Sequence, residues 1–317
     1  MNTTSGLPTE TMSSGSRSRR WRGVVRNALR PLATRRTDLS TSASVNVQFW
    51  LGEMPWRPTA AWAALAGVLA AGSMSPAGRI TWPVAVLLFL LVDPLWGAVW
   101  RLAAGRAEQL PLHDRVIGGQ FWLPYLAPDS PAAHLFGRNT GDTLPVLFRI
   151  AFPTVVVTLL VASALGVPAL VFTGLAIVVT LFGWINTRRA HTAPIFLHSV
   201  MTVGLPWLLA SLLAGAALTD SRGLMLMAAL WVVHQWGAGR LARVADDVLG
   251  LALLAAADVA IGALLIWLQT PLWLAVWFAC ALPTWFAVAQ RTSVRRVALW
   301  HVGALLACAA AVGQAVI

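Results

Sequence analysis

The feature that most constrains this chain is a succession of apolar windows, each close to the length needed to cross a bilayer. A helix needs roughly 20 predominantly apolar residues to span the hydrocarbon core. Such windows fall at 59–74, 80–100, 144–164, 167–186, 193–217, 223–238, 248–268, 271–289 and 297–316. Only 11% of the residues are charged and 58% are hydrophobic, whereas about a quarter of a soluble domain is charged. Too little charge is present to cover a water-facing surface, so most of the surface must face lipid. The sequence therefore reads as an all-α polytopic membrane protein with nine transmembrane helices.

Turn residues and arginines organise these windows. Gly166-Val167-Pro168 alone separates the third from the fourth, and Gln269-Thr270-Pro271 the seventh from the eighth. Both pairs are expected to be tight antiparallel hairpins. All 23 basic residues are arginine, a bias of high-GC bacterial coding. With the N-terminus inside, 21 of them fall in inner segments, leaving only Arg79 and Arg222 outside. Cytoplasmic loops carry such an excess. The expectation is an N-terminus in the cytoplasm and a C-terminus outside, in a bacterial cytoplasmic membrane. Cys280 and Cys308 lie inside apolar runs, which argues against a disulfide framework.

Residues 1–45 form a basic, Ser/Thr-rich tail ahead of the membrane domain at 46–317. Over 19–33, Trp21, Val24, Val25, Ala28, Leu29 and Leu32 share a helical face, with arginines on the other. That pattern suits a helix in the headgroup layer of an anionic leaflet, each arginine contributing on the order of 1 kcal/mol. A disordered tail that sets topology, or an organelle transit peptide, gives the same composition. Phe49, Trp50, Met54 and Trp56 suggest a second interfacial piece. Tethered to a membrane, the tail is expected to meet lipid; no nucleic acid is expected.

Ionisable groups inside hydrocarbon cost about 2.5–3.5 kcal/mol on insertion scales and mark functional candidates. Asp93, Arg149, His198, His234, Gln235 and His301 fall near the inner ends of their windows, with Asp246 and Asp247 in the loop after window six. Asp258, near the middle of window seven, is the deep exception. This asymmetry points to a chamber open to the cytosol and closed on the far side; a through-channel needs polar lining at both ends. Asp93-Pro94 is a helix-start dipeptide. Span two is accordingly expected to break there and restart, aiming Asp93, Trp96, Trp100 and Arg101 along one face. The plainer reading makes Asp93 a buried cap paired with an arginine. Trp96 and Trp100 read as interfacial anchors.

Nine spans, a long inner 2–3 loop and a charged 6–7 loop, together with WRPTAAWAALAGVLAAG at 56–72, resemble the UbiA superfamily of intramembrane prenyltransferases. That resemblance covers about 56–317 and implies a UbiA-like helical bundle that accommodates an isoprenoid or isoprenoid-tailed lipid. It also implies aspartate motifs at spans two and six that hold Mg2+ against an isoprenyl diphosphate. Carried over residue by residue, the catalytic candidates are Asp93, Asp246 and Asp247, with Asp93 and Asp246 as metal ligands. The sequence departs from the N-D-x-x-D pattern: Val92-Asp93-Pro94-Leu95-Trp96 keeps one aspartate, and GRLARVADD keeps only the adjacent pair. Adjacent acids on a helix point about 100° apart, a poor two-magnesium site. Arg101, Arg106, Arg240 and Arg243 are the candidates for binding a phosphate without metal.

Two other classes compete. His198 and His234 fall at similar depth on adjacent windows, and imidazole is an axial ligand for a tetrapyrrole. This suits a non-catalytic subunit of a membrane energy or photosynthetic complex that contacts pigment or quinone. The plainer reading has both histidines bonded to neighbouring helices. A transporter is the third class, with Asp258 as a proton relay; no paired discontinuous helices mark it.

Overall fold

In the computed structural model, the described residues are 60–72, 80–100, 152–190, 194–217 and 222–316. The tail, the aromatic stretch before residue 60 and the candidates Arg101, Arg106 and Arg149 lie outside them. All described elements are helical: α1 (Ala60–Ala70), α2 (Trp82–Trp100), α3 (Phe152–Leu165), α4 (Val167–Ala190) and α5 (Ile195–Leu213) are followed by α6 (Arg222–Leu241), α7 (Val248–Trp267), α8 (Pro271–Ala289) and α9 (Ala298–Val316). Six of them, α2, α4, α5, α7, α8 and α9, are long and apolar enough to cross a membrane. The chain is a multi-pass, all-helical integral membrane protein. α1 and α3 are shorter, and α6 carries His234, Gln235 and Arg240 in its second half.

The side chains are sorted as lipid requires. On α3 the buried positions are Thr154, Thr158 and Ala162, spaced four apart. On α4 they include Ala169, Thr173, Ala176 and Thr180. The opposite faces carry Leu160 (63% exposed), Val171, Leu175, Val178 and Phe182. Small and hydroxylated residues face protein while bulky hydrocarbon faces outward, the reverse of a soluble helix. Two of the hydroxyls find partners there: Thr158 Oγ1 donates to the Thr154 carbonyl at 2.6 Å, and Trp96 Nε1 donates to Thr173 Oγ1 at 3.2 Å, while Thr180 Oγ1 meets none among the described residues.

Beside a small packing group of Ala238, Leu241, Leu254 and Val294, two large ones result. One gathers α2, α3 and α4, the other α6, α7, α8 and α9, and both draw on α1 and α5. α1 can sit between them because its buried residues are only alanine and glycine. A Cβ on Gly67 would run into the Trp207 carbonyl oxygen of α5, and Ser211 Oγ bridges the same two helices, donating to the Gly67 and Trp207 carbonyls. Between α6 and α7, a Cβ on Gly237 would meet Leu254 N at 2.7 Å. Without water to drive association, backbone approach of this kind supplies the dispersion contacts that hold membrane helices together.

Both expected hairpin turns are present. α3 stops at Leu165, Gly166 takes φ +97°, and α4 starts at Val167. Gln269 takes φ +57° before α8 begins at Pro271. Span two departs from expectation. The chain does not break at Asp93; it passes through a π-helical turn, Leu91–Leu95, flanked by Leu90 and Trp96 in right-handed helical conformation. Proline lacks an N–H and crowds the carbonyl four residues back, and the wider π turn accommodates both defects without ending the helix. Asp93 therefore caps no new helix. α5 contains a second π turn, Val200–Gly204, just ahead of Pro206.

Gly67→Ala is expected to lower stability by about 1–3 kcal/mol, the usual cost of overpacking. Gly174→Ala, where a Cβ meets nothing within 4 Å, should leave stability unchanged or slightly raised. Thermal unfolding of the two variants in one detergent compares them directly.

Candidate functional site

The acids of the two aspartate windows do not converge. Asp93 is fully buried in the packing group of α2, α3 and α4, with the π turn against α1 and α3. Trp96 and Trp100 are buried beside it, 1% and 3% exposed, so they are core residues and not interfacial anchors. Their indoles fill the space that the small residues of α1 and α4 leave.

Asp246 and Asp247 stand at the other packing group, between α6 and α7. Asp247 is the N-cap of α7 and accepts from the Leu249 N–H at 3.2 Å. Arg240, in the last turn of α6, donates to it twice, from Nε at 2.6 Å and from Nη2 at 3.2 Å. A cap and a forked ion pair thus occupy one carboxylate. Asp246 is solvent-facing, 3.5 Å from Arg291. Of the phosphate-binding candidates, Arg240 is tied to Asp247, and Arg243 lies close enough to His198 to interact electrostatically.

The histidines also find different company from that expected. His198 is half-buried on α5, its ring 5.7 Å from that of Trp100. His234 on α6 is buried and faces α7 and α9. Its Nε2 lies 3.4 Å from Asp258 Oδ1, and its ring meets His301 edge-on at 5.2 Å. His301 Nε2 pairs with Thr284 Oγ1 at 2.8 Å. The neighbouring Trp285 donates Nε1–H to Asp258 Oδ2 at 2.9 Å.

Five side chains from four helices thus form one cluster: Asp258 meets His234, His234 meets His301, His301 meets Thr284, and Trp285, next to Thr284 in the chain, meets Asp258. Counting 1.5 Å per helical residue, Asp258 lies about 15 Å from the start of α7 at Val248, and His234 about 10 Å from the end of α6 at Leu241. Buried polar groups are normally satisfied, and each exception needs a reason. Two exceptions fall here: His234 Nδ1 and Asp258 Oδ1 have no hydrogen bond among the described residues. The 3.4 Å approach of His234 to Asp258 brings the charges close but misses hydrogen-bond alignment.

The residues do not fit the metal that the resemblance implies. Magnesium needs several hard oxygens around one point, but Asp93 is buried against α1 and α3, whereas Asp246 is solvent-facing beside Arg291 and Asp247 is already held by Arg240. Among the described residues, no group of three or more His, Cys, Asp or Glu side chains could hold a metal ion. His234 fits a tetrapyrrole poorly. Its Nε2 is turned toward Asp258, and the rings of Trp231 and His301 lie 4.6 and 5.2 Å from its own, where a macrocycle would have to go. No family model, curated protein or solved structure matches the chain.

Hydrogen bonding by the Arg240 side chain, reinforced by the backbone at Gly250 and Leu249, holds Asp247 below the ordinary carboxylate range. Its stabilising effect is therefore present above the unfolded value of about 3.9. It is lost as pH falls through the lower folded value. Thermal unfolding at neutral pH should rank wild type above Asp247→Asn, which keeps a cap, and Asp247→Ala lowest. The gap between wild type and Asp247→Asn should close on acidification.

Proposed function

We propose that the chain is a nine-span membrane protein, N-terminus inside and C-terminus outside, of the UbiA-like arrangement. In this reading it binds a lipid with an isoprenoid tail but does not perform magnesium-assisted diphosphate chemistry. Support for the arrangement comes from the order of helices: each of the nine apolar windows holds a helix among the described residues. The observation that carries the metal-free part is the commitment of Asp247 to Arg240 and to the cap of α7. A carboxylate so engaged has to give up a charge-assisted bond before it can ligate a cation, and Asp246 points into solvent beside Arg291.

The lipid part rests on the resemblance and on the chain's surface. Long apolar side chains face outward on α3, α4, α7 and α8, and grooves between such helices suit branched hydrocarbon tails by dispersion alone.

Mass spectrometry of the protein purified in mild detergent should find a polyprenyl-tailed lipid at near-stoichiometric amount. Binding of a labelled isoprenyl diphosphate should be insensitive to EDTA, and no transfer to an acceptor should follow with Mg2+ present. Mg2+-dependent turnover abolished by Asp247→Asn would overturn the metal-free reading. A visible absorption band from the purified protein would favour a pigment-binding subunit instead.

A further inference from the structure

We propose that Asp258 and His234 form a one-proton site inside the membrane, with the proton on Asp258 Oδ1, the oxygen 3.4 Å from His234 Nε2. The site uses none of the residues on which the lipid reading rests and stands independently of it.

The geometry carries the assignment. Asp258 is 6% and His234 3% exposed, so both are buried. An ionised carboxylate beside a neutral imidazole leaves an uncompensated charge in the interior, and the desolvation penalty for one ion is several kcal/mol. A counter-charge would remove that penalty, yet among the described residues none is at hand. The arginines whose side chains are described stand at helix ends or in the loops between helices, and Arg240 is held by Asp247, about 16 Å along α7 from Asp258 by helix rise. The other titratable groups facing Asp258 are His301 and Cys308 of α9, while Cys280 lies on α8. None of these carries positive charge as a neutral side chain. A single bound proton makes the pair neutral.

The hydrogen-bond inventory agrees with that placement. Asp258 Oδ2 accepts from Trp285 Nε1, as the carbonyl oxygen of a carboxylic acid can, and Oδ1 is the oxygen left without a donor. It faces the one imidazole nitrogen within 3.4 Å. His234 also has a second end. Nδ1 meets no hydrogen-bond partner among the described residues, so the imidazole can take a proton at one nitrogen and release one at the other. Exchange of the Asp258 proton then needs no bond other than N–H and O–H to form or break. A proton leaves Oδ1 for Nε2 and a water molecule reaching Nδ1 takes the proton there, leaving an Asp258 carboxylate beside a neutral imidazole. Uptake of a solvent proton by the imidazole and transfer from Nε2 back to Oδ1 then restore the starting state.

His301 and Thr284 hold the ring from the far side. Their 2.8 Å hydrogen bond fixes the His301 imidazole edge-on to His234, which positions His234 for both of its roles. They are positioning residues and bind no proton in the exchange.

The test is pH-difference infrared spectroscopy of the full chain in nanodiscs, with 13C-carboxyl aspartate labelling to identify aspartic acid bands. At neutral pH one protonated aspartic C=O band is expected, lost in Asp258→Asn and retained in Asp93→Asn. It should titrate away as a single proton as the pH is raised. In His234→Gln the band should remain while its hydrogen–deuterium exchange slows by about a hundredfold, the low end of what a positioned acid–base group contributes. If Asp258→Asn does not fold, the label shift and the exchange rate in wild type and His234→Gln still decide. Absence of a protonated aspartic band in folded wild type at neutral pH overturns the site, as does a band that survives Asp258→Asn. Unchanged exchange in His234→Gln overturns the role of the imidazole.

Discussion

Everything in this structure follows from the absence of water around its helices. A polar group placed in hydrocarbon must be met by protein, because each unmet group costs several kcal/mol. The chain answers by turning hydroxyls and small residues inward. Thr154, Thr158, Thr173 and Thr180 are buried on helices whose outward faces are leucine, valine and phenylalanine. With the interior so lined, helices come together through backbone contact. Gly67 against Trp207 and Gly237 against Leu254 do by proximity what a leucine core does in a soluble protein.

The same constraint decides the fate of the charged side chains. Where α6 meets α7, with the side chains partly exposed, Asp247 and Arg240 neutralise each other and close a helix end. Deeper, at Asp258, no arginine follows among the described residues, and the acid is met by an indole N–H and an imidazole. The two acids thus do different work although both lie on the same helix or at its cap. One is consumed by architecture. The other retains an oxygen with no hydrogen bond.

Helix positions were legible because they depend on composition along the chain. The windows 167–186, 248–268 and 271–289 coincide with α4, α7 and α8 to within a few residues, and Gly166 and Gln269 turn where expected. Which residues meet across helices was not legible, since that depends on rotational phase, and uniformly apolar helices carry little phase. His234 was paired in sequence with His198 on depth alone, whereas the structure gives it Asp258 and His301. Nothing in the sequence marks Trp285 as the indole whose N–H meets Asp258. Asp93-Pro94 reads as a helix start, because the sequence cannot show that a π turn absorbs the proline. One phase marker was present and missed: the four-residue spacing of Thr154, Thr158 and Ala162, which labels the protein-facing side of α3.

The inward turn of these hydroxyls is tested most directly by oxygen accessibility of spin labels in nanodiscs. Single cysteines at Thr173 and Leu175, in a background where Cys280 and Cys308 are replaced, sit on opposite faces of α4. High oxygen collision at 175 and low collision at 173 is the expected result. Equal or inverted accessibility would mean that the threonine face looks onto lipid, and the interior described here would not exist.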